Sequence, residues 1–276
     1  MVKRIVFENT PKYWEQLNLH IRTIAKTNDA IHRLLGVGIA FPGEVSANRD
    51  YVIRSTVLGV KNLSIAEIQK HFSYPVYVEY GANAAGFGTV WRSKELKDAV
   101  YVIVTINGVA GSIILNNEIY HGRAGRAGAF GHITLNPSGR KCFCGACGCW
   151  SAYNALNALT GLDETDLDGF FEKVNNEDPD AIAKWDEYLT YFADGLSTVS
   201  MSFDIDIVIG GPLAVYLEPW LDTIISKMQS RPTLNGENIS IHLDTKSESP
   251  MAEGVALMIV AKFLNDELDN FRFDEL

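Results

Sequence analysis

Every cysteine in this 276-residue chain falls within residues 131–150, which read GHITLNPSGRKCFCGACGCW. Cys142, Cys144, Cys147 and Cys149 lie within eight residues, and His132 precedes the first of them by ten. Thiolates and imidazoles suit a soft or borderline metal, and three thiols with one imidazole make the closed tetrahedral set of a structural zinc site. Gly145 and Gly148 would let the backbone take the positive φ needed to bend round an ion. The competing uses are a disulfide pair or buried free thiols. Cysteines two apart seldom reach disulfide geometry without strain, and a chain with no cysteine elsewhere is not stapling its fold with bridges. A structural zinc is therefore the expectation, although spacing alone does not rank the four thiols.

The remainder must fold to position that stretch. With 47% hydrophobic and 21% charged residues, the chain has the composition of a globular protein, long enough for one large domain or two lobes sharing a cleft. A net charge of −10 would repel a phosphate backbone, which argues against nucleic-acid binding by these residues. No apolar run approaches the roughly 18 to 20 residues of a membrane span, and clustered reduced thiols fit a cytoplasmic setting.

Residues 2–7 read as a strand, and Thr10-Pro11 as the start of a helix over 13–25. Further strands are expected over 35–40, 76–79, 101–106, 112–115, 118–120, 205–209 and 239–243, those from 101 to 120 forming a β-meander. Residues 151–202 read as mainly helical with an acidic loop at 175–180. A helix interrupted near Pro219 is expected over 213–229, and an amphipathic one over 253–268. Alternating strands and helices predict an α/β protein of two lobes.

The pattern G-H-x9-C-x-C-G-x2-G-C, carried by His132, Cys142, Cys144, Gly145, Gly148 and Cys149, resembles the signature of the ROK family of bacterial repressors and sugar kinases. That resemblance implies His132, Cys142, Cys144 and Cys149 as ligands and leaves Cys147 variable. GIAFPG at Gly38, YGANAAG at Asn83 and IVIGGPL at Gly210 resemble further family segments, so the likeness covers nearly the whole chain. It implies the two-lobed actin-like ATPase (ribonuclease H-like) fold, with lobes over 1–90 and 91–276 and the last helix returning to the first lobe. The family's early D-x-G-G-T phosphate loop is not among these residues, so the first strands of the N-terminal lobe would be missing.

Set against that resemblance, the chemistry of phosphorylation is eroded. Tyr80-Gly81 stands at the N-D position where a sugar kinase places its carboxylate base, and glycine takes no proton. The phosphate turn G-T-G-I-G-G-G reads Ile106-Asn107-Gly108-Val109-Ala110-Gly111-Ser112, which puts a Cβ on three former glycines where a phosphate would approach the backbone. Hydroxyl-binding positions have become Val57, Ala129 and Ser151. No catalytic residue is expected. Asn83, Asn107 and Ser151 remain as candidate ligand-cleft residues, with ordinary capping or hydrogen bonding as the competing role of Asn83 and Ser151. His20, His32, His71, His121 and His242 lack metal spacing and read as surface or core residues.

Three functions are compatible with this sequence. One is the catalytically inactive effector and homodimerisation domain of a ROK-type regulator of carbohydrate metabolism, sensing a sugar or sugar derivative and reaching DNA only through a segment not present here. Another is a sugar kinase using an acid outside the family motifs, for example Asp98 or Asp50. The third is a structural homodimer without ligand.

Overall fold

The computed structural model describes residues 5–28, 33–161 and 166–270 and divides into two compact units. One takes in Met1–Gly88, His121–Arg126 and Ser249–Leu276, the other Thr89–Tyr120 and Ala127–Glu248. The return of His121–Arg126 to the first unit is not visible in the sequence pattern.

Thr10 starts the first helix, α1 (Pro11–Thr27), by accepting from the Tyr13 amide at 3.3 Å, with Pro11 placed where a missing N–H costs nothing. The strand expected over 2–7 is absent from residue 5 onward, and residues 2–4 lie outside the described residues. Phe7 instead packs edge-on against Tyr13, Trp14 and Phe41, so its apolar surface is buried in an aromatic cluster rather than along a ladder.

There follow β1 (Val37–Phe41), β2 (Glu44–Val45), β3 (Tyr51–Ser55), β4 (Val60–Ser64), α2 (Ile65–Gln69), β5 (Val76–Tyr80) and α3 (Gly81–Arg92). β1 and β5 pair in parallel, while β2, β3 and β4 make a separate antiparallel sheet.

In the second unit, β6 (Ala99–Thr105), β7 (Gly108–Leu115) and β8 (Glu118–Ile119) form the expected meander. The helical stretch resolves into α4 (Ser151–Asn154), α5 (Asn157–Thr160), α6 (Leu167–Asn175) and α7 (Pro179–Phe203). Asp178 in the acidic connection is more than a solvated loop residue, since its carboxylate caps α7 by accepting from the amides of Asp180 and Ala181.

β9 (Asp206–Gly210) precedes α8 (Ala214–Leu217), and a short 3-10 turn at Pro219 separates α8 from α9 (Leu221–Gln229). β10 (Ile241–Asp244) completes a mixed sheet in the order β10-β9-β6-β7-β8, and α10 (Pro250–Asn270) ends the described chain. β6 is buried at every position but its last, which explains its near-continuous apolar sequence. Val100, Val102 and Val104 of β6 belong to one core cluster with Trp150, Trp185, Phe192 and Leu196.

Candidate metal centre and ligand residues

The metal stretch begins in a 3-10 turn, Phe130–His132, and closes on itself through isolated bridges Thr134↔Cys149 and Lys141↔Cys147. Gly145 and Gly148 sit at φ +96 and +77, and a Cβ on Gly148 would come within 1.6 Å of the Asn136 carbonyl oxygen. The folded loop brings one ligand atom each from His132, Cys142, Cys144 and Cys149 within 4.8 Å of one another. Cys147, exposed and bridged to Lys141, is outside that group.

The Sγ atoms of Cys144 and Cys149 are 3.7 Å apart, and Cys142 Sγ is 3.8 Å from His132 Nδ1. Tetrahedral zinc with Zn–S of about 2.3 Å sets its sulfurs about 3.8 Å apart, so the donor set fits that ion in type and spacing. Burial and the adjoining thiols push Cys149 up to about 12, burial pushes Cys142 up, and a backbone hydrogen bond at Ala146 draws Cys144 down.

The loop is anchored at its C-terminal end. Trp150 is fully buried against α7, where Gly195 leaves room for the indole. Phe143 meets the His132 ring edge-on, with centroids 5.3 Å apart, and lies so near Gly108 that a Cβ there would be 3.3 Å from its ring.

Gly108 belongs to the turn read as a degraded phosphate loop. That turn is a tight hairpin in which Thr105 opposes Gly108, with Asn107 exposed at the tip. Ser151 is buried; its Oγ accepts from the Val109 amide at 3.0 Å and contacts the Val109 carbonyl at 3.3 Å. Its hydroxyl thus ties α4 to β7, and one amide of the turn already has a partner. Ala129 is exposed beside the 3-10 turn, and Val57 is exposed between β3 and β4.

In the first unit, Gly81 opens α3, and a Cβ at that position would meet Met251 Sδ at 2.8 Å. Asn83 is buried one residue further on from Ala82; its Nδ2 donates to Glu79 Oε1 at 2.9 Å and its Oδ1 has no partner among the described residues. Asp50 and Asp98 are engaged locally, with the Ser46 hydroxyl and the Asn116 amide respectively.

Sequence reasoning passed over Glu79. Its side chain is 2% exposed, and its Oε2 takes Arg49 Nε at 2.8 Å and His121 Nε2 at 2.9 Å. Burial alone would raise this carboxyl, but hydrogen bonds from His121 and Asn83 and the charges of His121 and Arg49 outweigh it and hold the group at about 2. His121, read from spacing as an ordinary histidine, is part of this buried cluster, whereas His32 lies outside the described residues. The signal was not local: the partners are 30 and 42 positions from Glu79.

A sequence model of the ROK family matches residues 3–253. The chain is 32% identical over 127 residues to the xylose repressor of Caldicellulosiruptor bescii, a match covering 45% of this chain and 32% of that protein. It is 30% identical over 115 residues to the glucokinase of Halalkalibacterium halodurans, covering 41% of this chain and 35% of that one. These matches therefore span about a third of each relative's length. The ROK hexokinase from Thermus thermophilus superposes with a TM-score of 0.77 at 24% identity, over 94% of this chain and 89% of that one, and the shared fold is that of the actin-like ATPases. Among the described residues, no helix is long and apolar enough to cross a membrane.

Proposed function

We propose, on the premise that this chain belongs to the ROK family, that it is the small-molecule-sensing and oligomerisation domain of a transcriptional regulator of carbohydrate metabolism and has no kinase activity. The observation that carries this reading is Gly81. Sugar phosphorylation needs a base for the attacking hydroxyl, and the position where the family resemblance places it has no side chain and faces a methionine sulfur. The turn from Ile106 to Ser112 supports the same reading, because Ile106, Ala110 and Ser112 carry side chains where glycines would admit a phosphate and Ser151 occupies the Val109 amide.

In this reading His132, Cys142, Cys144 and Cys149 hold a structural zinc. When bound, the ion would supply no chemistry beyond neutralising the thiolates and fixing the loop that carries Phe143 and Trp150. The protein works in the cytoplasm as a homodimer, and DNA is reached through a segment outside this chain. A regulator needs only a ligand that binds one conformation better than another. With Val57, Ala129, Ser151 and Gly81 in place of hydroxyl-binding groups, a common free hexose would leave hydroxyls unpaired, each costing about 1 to 3 kcal/mol, and should bind worse than about millimolar. The effector is then a less polar or differently shaped sugar derivative.

Titration calorimetry against a panel of pentoses, hexoses and their derivatives tests this directly. Binding of one derivative in the absence of nucleotide, with glucose weak, is the expected result. Micromolar glucose binding, or no binding by any member of a broad panel, would contradict it. The second reading, a sugar kinase, draws on the likeness to the Halalkalibacterium halodurans glucokinase and requires a base from outside the family motif.

A further inference from the structure

Two side chains compete for one oxygen of Glu79. Its Oε1 is already engaged, accepting from Asn83 Nδ2 and from the Tyr80 amide, each at 2.9 Å. Oε2 is left to Arg49 Nε at 2.8 Å and His121 Nε2 at 2.9 Å, while Arg49 Nη2 stands 2.8 Å from that same His121 nitrogen. One ring nitrogen therefore faces both a guanidinium N–H and a carboxylate oxygen, and it can serve only one of them. With a bare Nε2, neutral His121 accepts from Arg49, whose two nitrogens then bridge the carboxylate and the imidazole. With a proton on Nε2, the ring donates to Glu79 and sets its own N–H against that of Arg49. Among the described residues, none engages His121 Nδ1 and fixes the tautomer from that side.

Burial decides which group gives way. The Glu79 and His121 side chains are 2% and 20% exposed, that of Arg49 42%. Glu79, held at about 2, stays ionised wherever an imidazole changes charge. A protonated His121 satisfies that carboxylate and repels the guanidinium beside it, and only Arg49 can exchange its contacts for water at little cost. The Arg49 backbone, left-handed at φ +55 in the turn between β2 and β3, adds strain that the ion pair helps to hold. Among the other titratable groups of this region, Asp50 contacts the Ser46 hydroxyl and Glu44 pairs with Arg54 and Arg126. Tyr51, Tyr120 and Arg123 are exposed, and Tyr80, pushed by burial up to about 12, keeps its proton.

We propose that His121 and Arg49 exchange places on Glu79 under the control of one proton. Neutral His121 helps to hold Arg49 against the carboxylate; His121 protonated from solvent takes the carboxylate for itself and frees the guanidinium on the β2–β3 turn. A fall in pH is thereby converted into an unpaired positive charge at that turn. The switch lies within the first unit and does not depend on the regulatory reading above, since neither Gly81 nor the metal loop takes part in it.

Nuclear magnetic resonance on the full purified chain tests this, following the His121 ring nitrogens and the Arg49 side-chain 15Nε from about pH 8 to about pH 5, the range in which histidine switches. Variants His121→Phe and Arg49→Lys assign the signals. At the alkaline end His121 should carry its proton on Nδ1, and the Arg49 Nε–H should be protected from exchange with water. As the pH falls, both groups should titrate with one midpoint, His121 gaining its second proton while Arg49 moves to the position of a solvated arginine and loses its protection. In His121→Phe, which has no titrating ring, the Arg49 signal should keep its alkaline position throughout. Should that variant fold poorly, the tautomer and the shared midpoint in the unmodified chain decide the matter. The proposal is overturned if neutral His121 carries its proton on Nε2, if His121 does not titrate over this range, if Arg49 stays fixed while His121 titrates, or if a folded His121→Phe chain keeps the Arg49 step.

Discussion

Cys147 and Cys149 are two positions apart, each in an isolated bridge, yet only Cys149 points its sulfur into the cluster with His132, Cys142 and Cys144. Serine at 142, 144 or 149 should therefore abolish stoichiometric zinc, measured by plasma mass spectrometry on purified protein, and open residues 131–150 to limited proteolysis. Cys147→Ser should keep about one zinc per chain; equal loss at all four positions would overturn the ligand assignment. Glu79 allows a separate test by pH. A carboxyl held at about 2 against an ordinary 4.5 adds stability that is fully present above pH 4.5 and is lost as the pH falls through 2. The gap corresponds to about 3 kcal/mol. Calorimetric unfolding should show Glu79→Gln less stable than the parent at pH 6, with the difference falling to under half by pH 3. A difference that does not change over that range would show that Glu79 is not the titrating group.

Elements differ in how openly the sequence announces them. β6 is readable because burial on both faces leaves an almost unbroken apolar run, and α1 because Thr10 and Pro11 mark its start. The β2-β3-β4 sheet is not, since its strands are short and half exposed and Arg54 and Lys61 stand opposite each other at its surface. The His132, Cys142, Cys144 and Cys149 cluster was legible because its donors are concentrated in one short stretch of sequence, whereas the Glu79–Arg49–His121 cluster is assembled by tertiary folding from three distant segments. Trp150 shows how an element supports the metal loop. An added Cβ at Gly195 on α7 would lie 2.0 Å from its indole, so Gly195→Ala should destabilise the protein by about 1 to 3 kcal/mol or more through overpacking. Chemical denaturation checks this, and an unchanged midpoint would mean that the loop is not seated on α7 as described.

At the scale of the whole molecule, the ROK fold is kept, and the proposed loss of kinase activity rests on residues at separate places: Gly81 on α3, and Ile106, Ala110 and Ser112 around the β6–β7 hairpin. Losing a general base alone forfeits about a hundredfold to ten-thousandfold in rate, and Gly81→Asp should restore nothing, because the second set of changes remains. A regulator that reads paired half-sites needs a two-fold partner, so analytical ultracentrifugation should find a dimer, and a strict monomer would count against the regulatory role. The most direct test is ATP turnover by the purified, unmodified chain with glucose, N-acetylglucosamine and N-acetylmannosamine. The account predicts no turnover above the no-enzyme control with any of them; a rate of about 1 to 100 per second, ordinary for kinases, would contradict it.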